Sequence, residues 1–499
     1  MKRFATYFIV VIAIALTLSA CNNNDSTDNS SITNDNNISN TNNNERPVYH
    51  PPPDVEELTQ PLEGELTIMA RPEEIRDWSH YVRLFNALHP DVQIRFDQYE
   101  SITDATQQQA LMTRLMADPP DILTFNAELL SFEKFAMDAL FVNLYDFMNG
   151  PRGINQEDYY SNIFRAAEWR GGLYHLPLYA ELRLGVLNKR LLDAIGVDSS
   201  QITTITITEL IDYYLRAADA LPDETLYPYR YFSTKQVLRM SRLYDIETGE
   251  VYVDTPEMRE LFERAVAIPL NSDYIEFTPT AYIEMSFWDS VEMMWREFLG
   301  GSNHLLRDMS DGAMNYMFVI WLQDNPDIDM QFSNFVTVVS GDSENIGFSP
   351  AFCMSIMRDS PNTELAWEFL RFIMEYKENL YFHNDPSRVY FGSLRGLPIN
   401  RARFENQLRT YIDVYLYSGY RFLLGQLDGT TEEERERDVE IAMVFLRSYM
   451  EQLNYEIRYS DAMLNTLIYP ELWLLYSGQQ DVARTLANIH NRLVLYVNE

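Results

Sequence analysis

Any chemistry in this chain would have to come from carboxylates. The sequence holds 74 Asp and Glu against 39 Lys and Arg. Two carboxyl groups roughly 5 to 9.5 Å apart, one of them kept protonated, can hydrolyse a glycosidic bond. Glu181 with Glu128 is such a candidate pair, but no motif fixes the distance between them. Other catalytic sets are missing from the sequence. There is no Gly-x-Ser-x-Gly, no phosphate loop and no dinucleotide fingerprint. The seven His are scattered without metal-ligand spacing, and the two Cys, Cys21 and Cys353, cannot build a multi-thiolate site. No metal and no cofactor is expected. His175 lies between apolar residues and reads as a structural histidine. Cys353, in the apolar run Ala351 to Ile356, reads as a buried, inert thiol on a strand.

The elements that would position polar side chains follow from periodicity. Glu65 to Ala70, Val92 to Phe96 and Asp121 to Phe125 read as strands, and Trp78 to Leu88, Ala105 to Met116 and Leu130 to Ala139 as helices. This alternation suits parallel βαβ units, in which ligands sit beyond the carboxyl ends of the strands. Arg71, Phe125 and Asn126 then fall at a cleft edge. Gly171 to Lys189 opens on a Gly-Gly turn, runs extended to Pro177, turns near Tyr179 and leaves extended. A chain passing between two lobes has this pattern, and so does an internal hairpin. Later segments are more helical: Ile207 to Ala220, Pro256 to Ala267, Glu364 to Glu375, Glu432 to Asn454 and Asp481 to Val497 are amphipathic. Thr208 with Glu209 and Thr363 with Glu364 are plausible helix starts. Trp367 and Trp473 read as core residues.

The N-terminus reads as an address. Lys2 and Arg3 precede an apolar run from Phe4 to Leu18, too short to span a bilayer comfortably, and Leu18-Ser19-Ala20-Cys21 follows. The four residues resemble the lipobox of bacterial lipoproteins. That resemblance implies removal of residues 1–20 and acylation of Cys21 with a diacylglycerol carrying chains such as palmitate. Residues 21–61 are rich in Asn, Ser, Thr and Asp and then in Pro, a composition that cannot bury enough apolar surface to fold. They read as a tether that could extend ~3.3 Å per residue. From Leu62 onward the composition is globular and long enough for two lobes. The net charge of −35 argues against nucleic acid as a partner, which needs a basic face.

From residue 64 to 499 the chain resembles the extracellular solute-binding proteins of family 1, the carbohydrate-type receptors of ABC importers. The resemblance is carried by Glu65 to Ile68 with Phe85, His89, Pro90 and Val92, and by Pro120-Asp121 with Leu140 to Leu144. It continues in Leu176-Pro177 with Val186 to Lys189 and Leu191 to Gly196, then in Ile346 to Pro350 with Ala366 to Leu370. Gly396 to Asn400, and Tyr476 to Gly478 followed by a last helix, complete it. The stretch from Tyr227 to Leu306 follows the pattern loosely.

The resemblance implies an α/β, two-lobed periplasmic-binding-protein-like type II fold. Each lobe is a mainly parallel sheet flanked by helices, with a ligand cleft between the lobes. Lobe I would comprise residues 62–180 with 346–398, and lobe II 181–345 with 399–499. Crossings would fall near Tyr179 to Leu182, Asn345 to Phe348 and Arg395 to Asn400, the last sending the C-terminal helices to lobe II. The implied ligand is a sugar or oligosaccharide, which needs planar donors and acceptors and flat rings. Arg71, Phe125, Asn126, Tyr179 and Glu181 are the candidates on the first lobe and the crossing, and Trp288, Trp295 and Trp321 the candidate plates, of which Trp288 and Trp321 rank first. The implied protein is a monomer without enzymatic activity, lipid-anchored at the outer face of a bacterial cell membrane and delivering its ligand to ABC permease subunits. A surface glycoside-acting enzyme and a receptor docking a sensor kinase are the competing readings.

The lipobox reading predicts that Cys21→Ala moves the protein from the membrane fraction to the soluble one. Retention of the variant in membranes would refute it.

Overall fold

The alternation of strand and helix builds two sheets in the computed structural model. It describes residues 62–100, 102, 105–125, 140–182, 184–199, 202–229, 237–238, 241–245, 248–268, 304–308, 332–339, 346–376, 396–414, 432–457 and 463–498. The first sheet starts with β1 (Gly64–Ala70), α1 (Pro72–Leu88), β2 (Val92–Gln98), α2 (Ala105–Ala117) and β3 (Ile122–Phe125). β1 pairs parallel with both β2 and β3, as the βαβ pattern requires. Pro72 fits the first turn of α1, where its missing N–H costs nothing. Trp78, Tyr81, Val82 and Phe85 then bury one face of that helix, while Leu111 and Leu115 of α2 cover the other side of the sheet. Leu130 to Ala139, expected as a helix, lies outside the described residues.

Two short helices, α3 (Leu144–Met148) and α4 (Ser161–Ala166), lead to the Gly-Gly turn. There Trp169 and Gly172 exchange both backbone hydrogen bonds, at 2.8 and 2.9 Å, around Arg170 (φ 48°) and Gly171 (φ 75°). Positive φ at both central positions makes this a primed two-residue turn, and Gly171 meets the requirement without strain. The chain does not turn at Tyr179 as expected. β4 runs unbroken over Leu176–Leu182, and β5 (Leu184–Asn188) follows after one residue, already in the second sheet.

The second sheet comprises β5, β6 (Thr204–Thr206), β7 (Tyr227–Tyr229), β10 (His304–Asp308) and β11 (Phe332–Val339), in the order β6-β11-β5-β10-β7. A separate two-stranded ribbon is made by β8 (Tyr244–Asp245) and β9 (Glu250–Val251). The helices of this part are α5 (Lys189–Ala194), α6 (Ile207–Ala220) and α7 (Pro256–Val266). Thr206, not Thr208, caps α6: its hydroxyl accepts from the Glu209 N–H at 3.2 Å, and the Glu209 carboxylate accepts from the Thr206 N–H at 2.8 Å.

β12 (Gly347–Ile356) returns to the first sheet and is buried along its whole length. It lies between β3 and β4, antiparallel to both. Cys353 is fully buried on this strand, as the apolar run implied. The expected helix at Glu364 is α8 (Thr363–Glu375), whose Trp367 is 1% exposed and donates to Arg152 O at 2.9 Å.

The third crossing takes a different course from the one implied by the resemblance. β13 (Leu397–Pro398) pairs with β4 and so stays in the first sheet. Helices α9 (Arg401–Val414) and α10 (Glu432–Gln452) then add Phe404, Leu408, Met443, Leu446 and Met450 to the core around that sheet. β14 (Tyr455–Glu456) joins the start of β12. α11 (Tyr469–Tyr476) and α12 (Val482–Asn498) share a core with α6 and α7. The described helices past residue 399, expected together in lobe II, are thus divided between the two cores. Both sheets are mainly parallel, each with one long strand reversed: β12 in the first and β5 in the second. No helix among the described residues is long and apolar enough to cross a membrane.

The α11–α12 hairpin is held by a buried carboxylate. Glu471 accepts from Arg492 at 2.6 Å, Asn488 at 2.9 Å and Gln480 at 3.1 Å. Arg492 also donates to the carbonyl of Thr466 at 3.2 Å, in the π-turn Leu464–Ile468 that leads into α11. Burial alone would raise the Glu471 pKa, but the Asn488 and Gln480 hydrogen bonds and the Arg492 charge outweigh it and hold the carboxyl below its ordinary value of 4.5. A folded-state pKa below the unfolded one gives stability that is complete above the unfolded value and lost as pH falls through the folded value. Glu471→Ala should therefore cost about 1–3 kcal/mol at neutral pH. The gap to wild type in thermal melts should narrow as the medium is acidified below the carboxylate range, and a gap independent of pH would contradict this account.

Candidate functional site

The carboxyl ends of β1, β2 and β3 converge on one polar cluster. Arg71 follows β1 directly and is the N-cap of α1, extended at φ −74° and ψ 151°. Its guanidinium bonds Glu74, three residues on in the first turn, at 2.6 Å. The second carboxylate oxygen of Glu74 accepts from the Thr124 hydroxyl at 3.0 Å and from the Arg71 backbone N–H at 3.4 Å. Tyr99, just after β2, donates to the carbonyl of Thr124 at 2.8 Å. Arg71 is 6% exposed and Glu74 4%. A carboxylate at the first turn of a helix also meets the positive end of the helix dipole, so Glu74 answers two positive features at once.

Along α1 the cluster passes into rings. Trp78 lies 5.8 Å from Phe352, edge to face, and Phe352 lies 5.4 Å from Tyr179. Phe352 sits in the middle of β12 with φ 52°, a strained conformation for a bulky residue that its two aromatic neighbours hold in place. On the far side Arg403 of α9 donates to the hydroxyls of Tyr81 and, at 2.7 Å, of Tyr179, and stacks over both rings at 5.5 and 5.2 Å. Tyr179 is therefore a core residue, 6% exposed, with its hydroxyl engaged by Arg403.

The other expected site residues fall as follows. Phe125 is fully buried, stacked on Phe141 at 6.5 Å, with His175 at 5.9 Å. Glu181 is half-buried on β4, in register with Ser349 of β12. Asn126, Glu128, Trp288, Trp295, Trp321 and Cys21 lie outside the described residues. Arg71 and Phe125 thus meet at the strand ends through Glu74 and Thr124, and Tyr179 is joined to them only through α1 and Phe352. His175 is structural: its Nε2 is 2.9 Å from Glu456, and both side chains are fully buried. Trp473, expected in the core, is 64% exposed. α11 buries Leu472 and Leu475 instead, which turns the intervening residue outward.

Glu74, Thr124, Tyr99 and Arg403 were missed in the sequence. Glu74 stands four residues after the end of β1, three after the cap position and two after a helix-starting proline, a weak cap signal that the Arg at the cap position conceals. Arg403 has no local signal, because its partners lie 224 and 322 residues away. Among the described residues no group of three or more His, Cys, Asp and Glu could hold a metal ion. The groove before α7 is lined by Asp254, Pro256, Arg259, Glu260 and Glu263, and contains no ring on which a sugar could stack.

No protein-family model matches the chain, and no curated protein matches it. Solved structures match its shape. A periplasmic oligogalacturonide-binding protein of Yersinia enterocolitica superposes with a TM-score of 0.53 at 14% identity, covering 87% of this chain and 99% of its own. The sugar-binding protein MalE of Xanthomonas citri gives 0.52 at 13% identity, with 87% and 98% covered. A structure described as a de novo designed esterase gives 0.50 at 15% identity, with 88% and 100% covered. At such identities the likeness concerns the fold alone, which is the type II periplasmic-binding-protein fold.

Gly396 marks where β13 approaches the crossing most closely. Its φ is 92°, and a Cβ there would lie 2.7 Å from the backbone carbonyl of Ala180 and 2.9 Å from the N of Glu181. Gly396→Ala should destabilise the protein by about 1–3 kcal/mol through strain at that φ and the forced separation of β13 from β4. A melting temperature equal to that of wild type would show that β13 does not pack on β4 this way.

Proposed function

We propose that the protein is a solute-binding protein that captures a sugar or oligosaccharide between two lobes and delivers it to an ABC importer. The observation that carries this reading is the paired crossing between the sheets. β5 follows β4 after one residue, β11 pairs antiparallel with β5 in the second sheet, and β12 pairs antiparallel with β4 in the first. Strands that link two sheets in this way can serve as a hinge that bends without breaking either core. The polar cluster at the ends of β1 and β3 supports the reading, since ligands of open α/β sheets lie there. The proteins of similar fold that bind oligogalacturonide and sugar support it too. The designed esterase of similar shape gives no reason to read an enzyme here, because chemistry resides in sites and not in folds.

In this reading lobe I is the first sheet with α1, α2, α8, α9 and α10, and lobe II is the second sheet with α5, α6, α7, α11 and α12. Arg71 at the strand ends and Glu181 at the crossing are the polar contacts. Asn126, Trp288 and Trp321 remain proposed contacts. Cys21 carries the lipid anchor on the outer face of the membrane, residues 21–61 form the tether between that anchor and the lobes, and the ABC permease subunits are the partners.

A thermal-shift panel of oligosaccharides, with amino acids and polyamines as controls, tests the reading. A true ligand at a hundred times its dissociation constant should add about 2.7 kcal/mol of stability. Small-angle scattering should then show a smaller radius of gyration with that ligand. Arg71→Lys, which keeps the charge but loses the planar fork, should weaken binding by about 1–3 kcal/mol, or roughly one to two decades, with the melting temperature of the free protein held. Unchanged scattering at saturation, or unchanged affinity of the variant, would refute the cleft as placed.

A further inference from the structure

We propose that the three connections between the two sheets are bound into one hinge ribbon, and that Asn454 and the buried His175–Glu456 pair are the clamps that make them move together. The inference rests on the two-lobed architecture of the reading above and deepens it by naming the device that governs the motion.

The third connection leaves from β14. After Ile457 the next described residues, Met463 and Leu464, are buried in one core with side chains of α6, α7 and α12. β14 therefore leads to α11 as β4 leads to β5. Phe348 gathers all three connections at one level. It pairs with Leu182, the last residue of β4, on one edge and with Glu456, the last residue of β14, on the other. Connections that leave at one level can bend about one line, whereas connections at separate levels would oppose each other's rotation. Lobe closure as a hinge motion needs the first arrangement.

The clamps are identifiable bonds. The Ile346 N–H donates to Asn454 Oδ1 at 2.8 Å, and the Asn454 N–H donates to the Ile346 carbonyl at 3.1 Å. The side-chain oxygen stands in for the carbonyl of a strand neighbour, so the pairing of β12 with β14 is extended beyond the start of β12. On the other side of that pairing the Ile457 N–H donates to the Phe348 carbonyl at 2.9 Å. Glu456 is tied in turn to the residue preceding β4: its carboxylate lies 2.9 Å from His175 Nε2, with both side chains fully buried. Separating such a pair inside a core is costly, so the end of β14 cannot swing free of β4. Asn162 of α4 donates to the carbonyls of Met450 and Leu453, both at 2.8 Å, and so fixes the approach of the chain to β14. Asn454 and Glu456 are positioning residues on this account. Their loss should loosen the motion between the lobes more than it weakens either lobe.

Spin-label distance measurements on the free protein test this. Arg83→Cys on α1 and Glu260→Cys on α7, both at exposed positions, carry the labels in the full chain with Cys21→Ala, whose remaining native thiol, Cys353, is buried. The clamped hinge should give one narrow distance distribution. Asn454→Ala, at an exposed position, should broaden that distribution or add a second population, and Glu456→Gln should do the same. Glu471→Ala, which weakens the α11–α12 hairpin, is the control for lost stability alone. An Asn454→Ala distribution equal to that of the parent overturns the inference, and so does equal broadening in Glu471→Ala. If Glu456→Gln does not fold, Asn454→Ala decides alone. No ligand enters the measurement, so this failure leaves the receptor reading standing. A protein that binds no saccharide would overturn that reading and leave the distance result unchanged.

Discussion

Strand β12 is the constraint on which the rest of the structure depends. It is buried over all ten residues from Gly347 to Ile356. A buried strand must pair its backbone on both sides, because each unsatisfied N–H or C=O away from water costs as much as a lost hydrogen bond. β3 serves one edge and β4 the other, and β14 pairs at its start. Those neighbours fix everything the site needs. β3 carries Thr124 to the Glu74 carboxylate. β4 carries the chain out toward the second sheet. The position of Phe352 follows from the same strand: its φ of 52° is tolerated because Trp78 and Tyr179 close on the ring from two sides.

Around that strand the polar side chains serve two different ends. Arg403 locks α9 to the crossing strand by bonding two tyrosine hydroxyls inside the core. Asp121 does the same at the opposite end of β3, accepting from the Thr67 N–H at 2.7 Å and from Ser360 and Asn362 after β12. These bonds hold the scaffold. The Arg71–Glu74–Thr124 cluster differs in place, because it lies beyond the carboxyl ends of parallel strands, where an open sheet leaves room for a ligand. A carboxylate bound to both a guanidinium and a hydroxyl is committed to holding that edge.

Much of the fold was legible in the sequence because periodicity reports burial on a single face. The patterns for β1, β2, β3, α2, α6, α7, α8, α10 and α12 end within about two residues of the observed elements, α1 starts six residues before the expected Trp78, and the apolar flanks of Cys353 report its burial. The errors fall where burial depends on a distant partner. Trp473 sits on an eight-residue helix that is apolar nearly all round, so its pattern does not say which side faces the core. Tyr179 lies on the crossing strand, and its bond to Arg403 is a contact over 224 residues that no local pattern announces. The segment at 395–400 was expected to leave for the second lobe, and the close approach of Gly396 to Ala180 keeps it against β4. Glu74 escaped notice because an arginine occupies the cap position where a serine or threonine would have flagged it.

The site is less legible than the fold for a physical reason. A core position needs only the right size and polarity, so a short window of sequence reports it. A binding position needs partners from several strand ends, and the sequence records no distance between them. Arg71 could be nominated because it follows a strand. Whether it presents a bare charge or a compensated one was fixed by Glu74 and Thr124, 50 residues apart in sequence. Proteins whose shapes superpose on this chain at 13–14% identity share its fold and have ample room to differ at such positions.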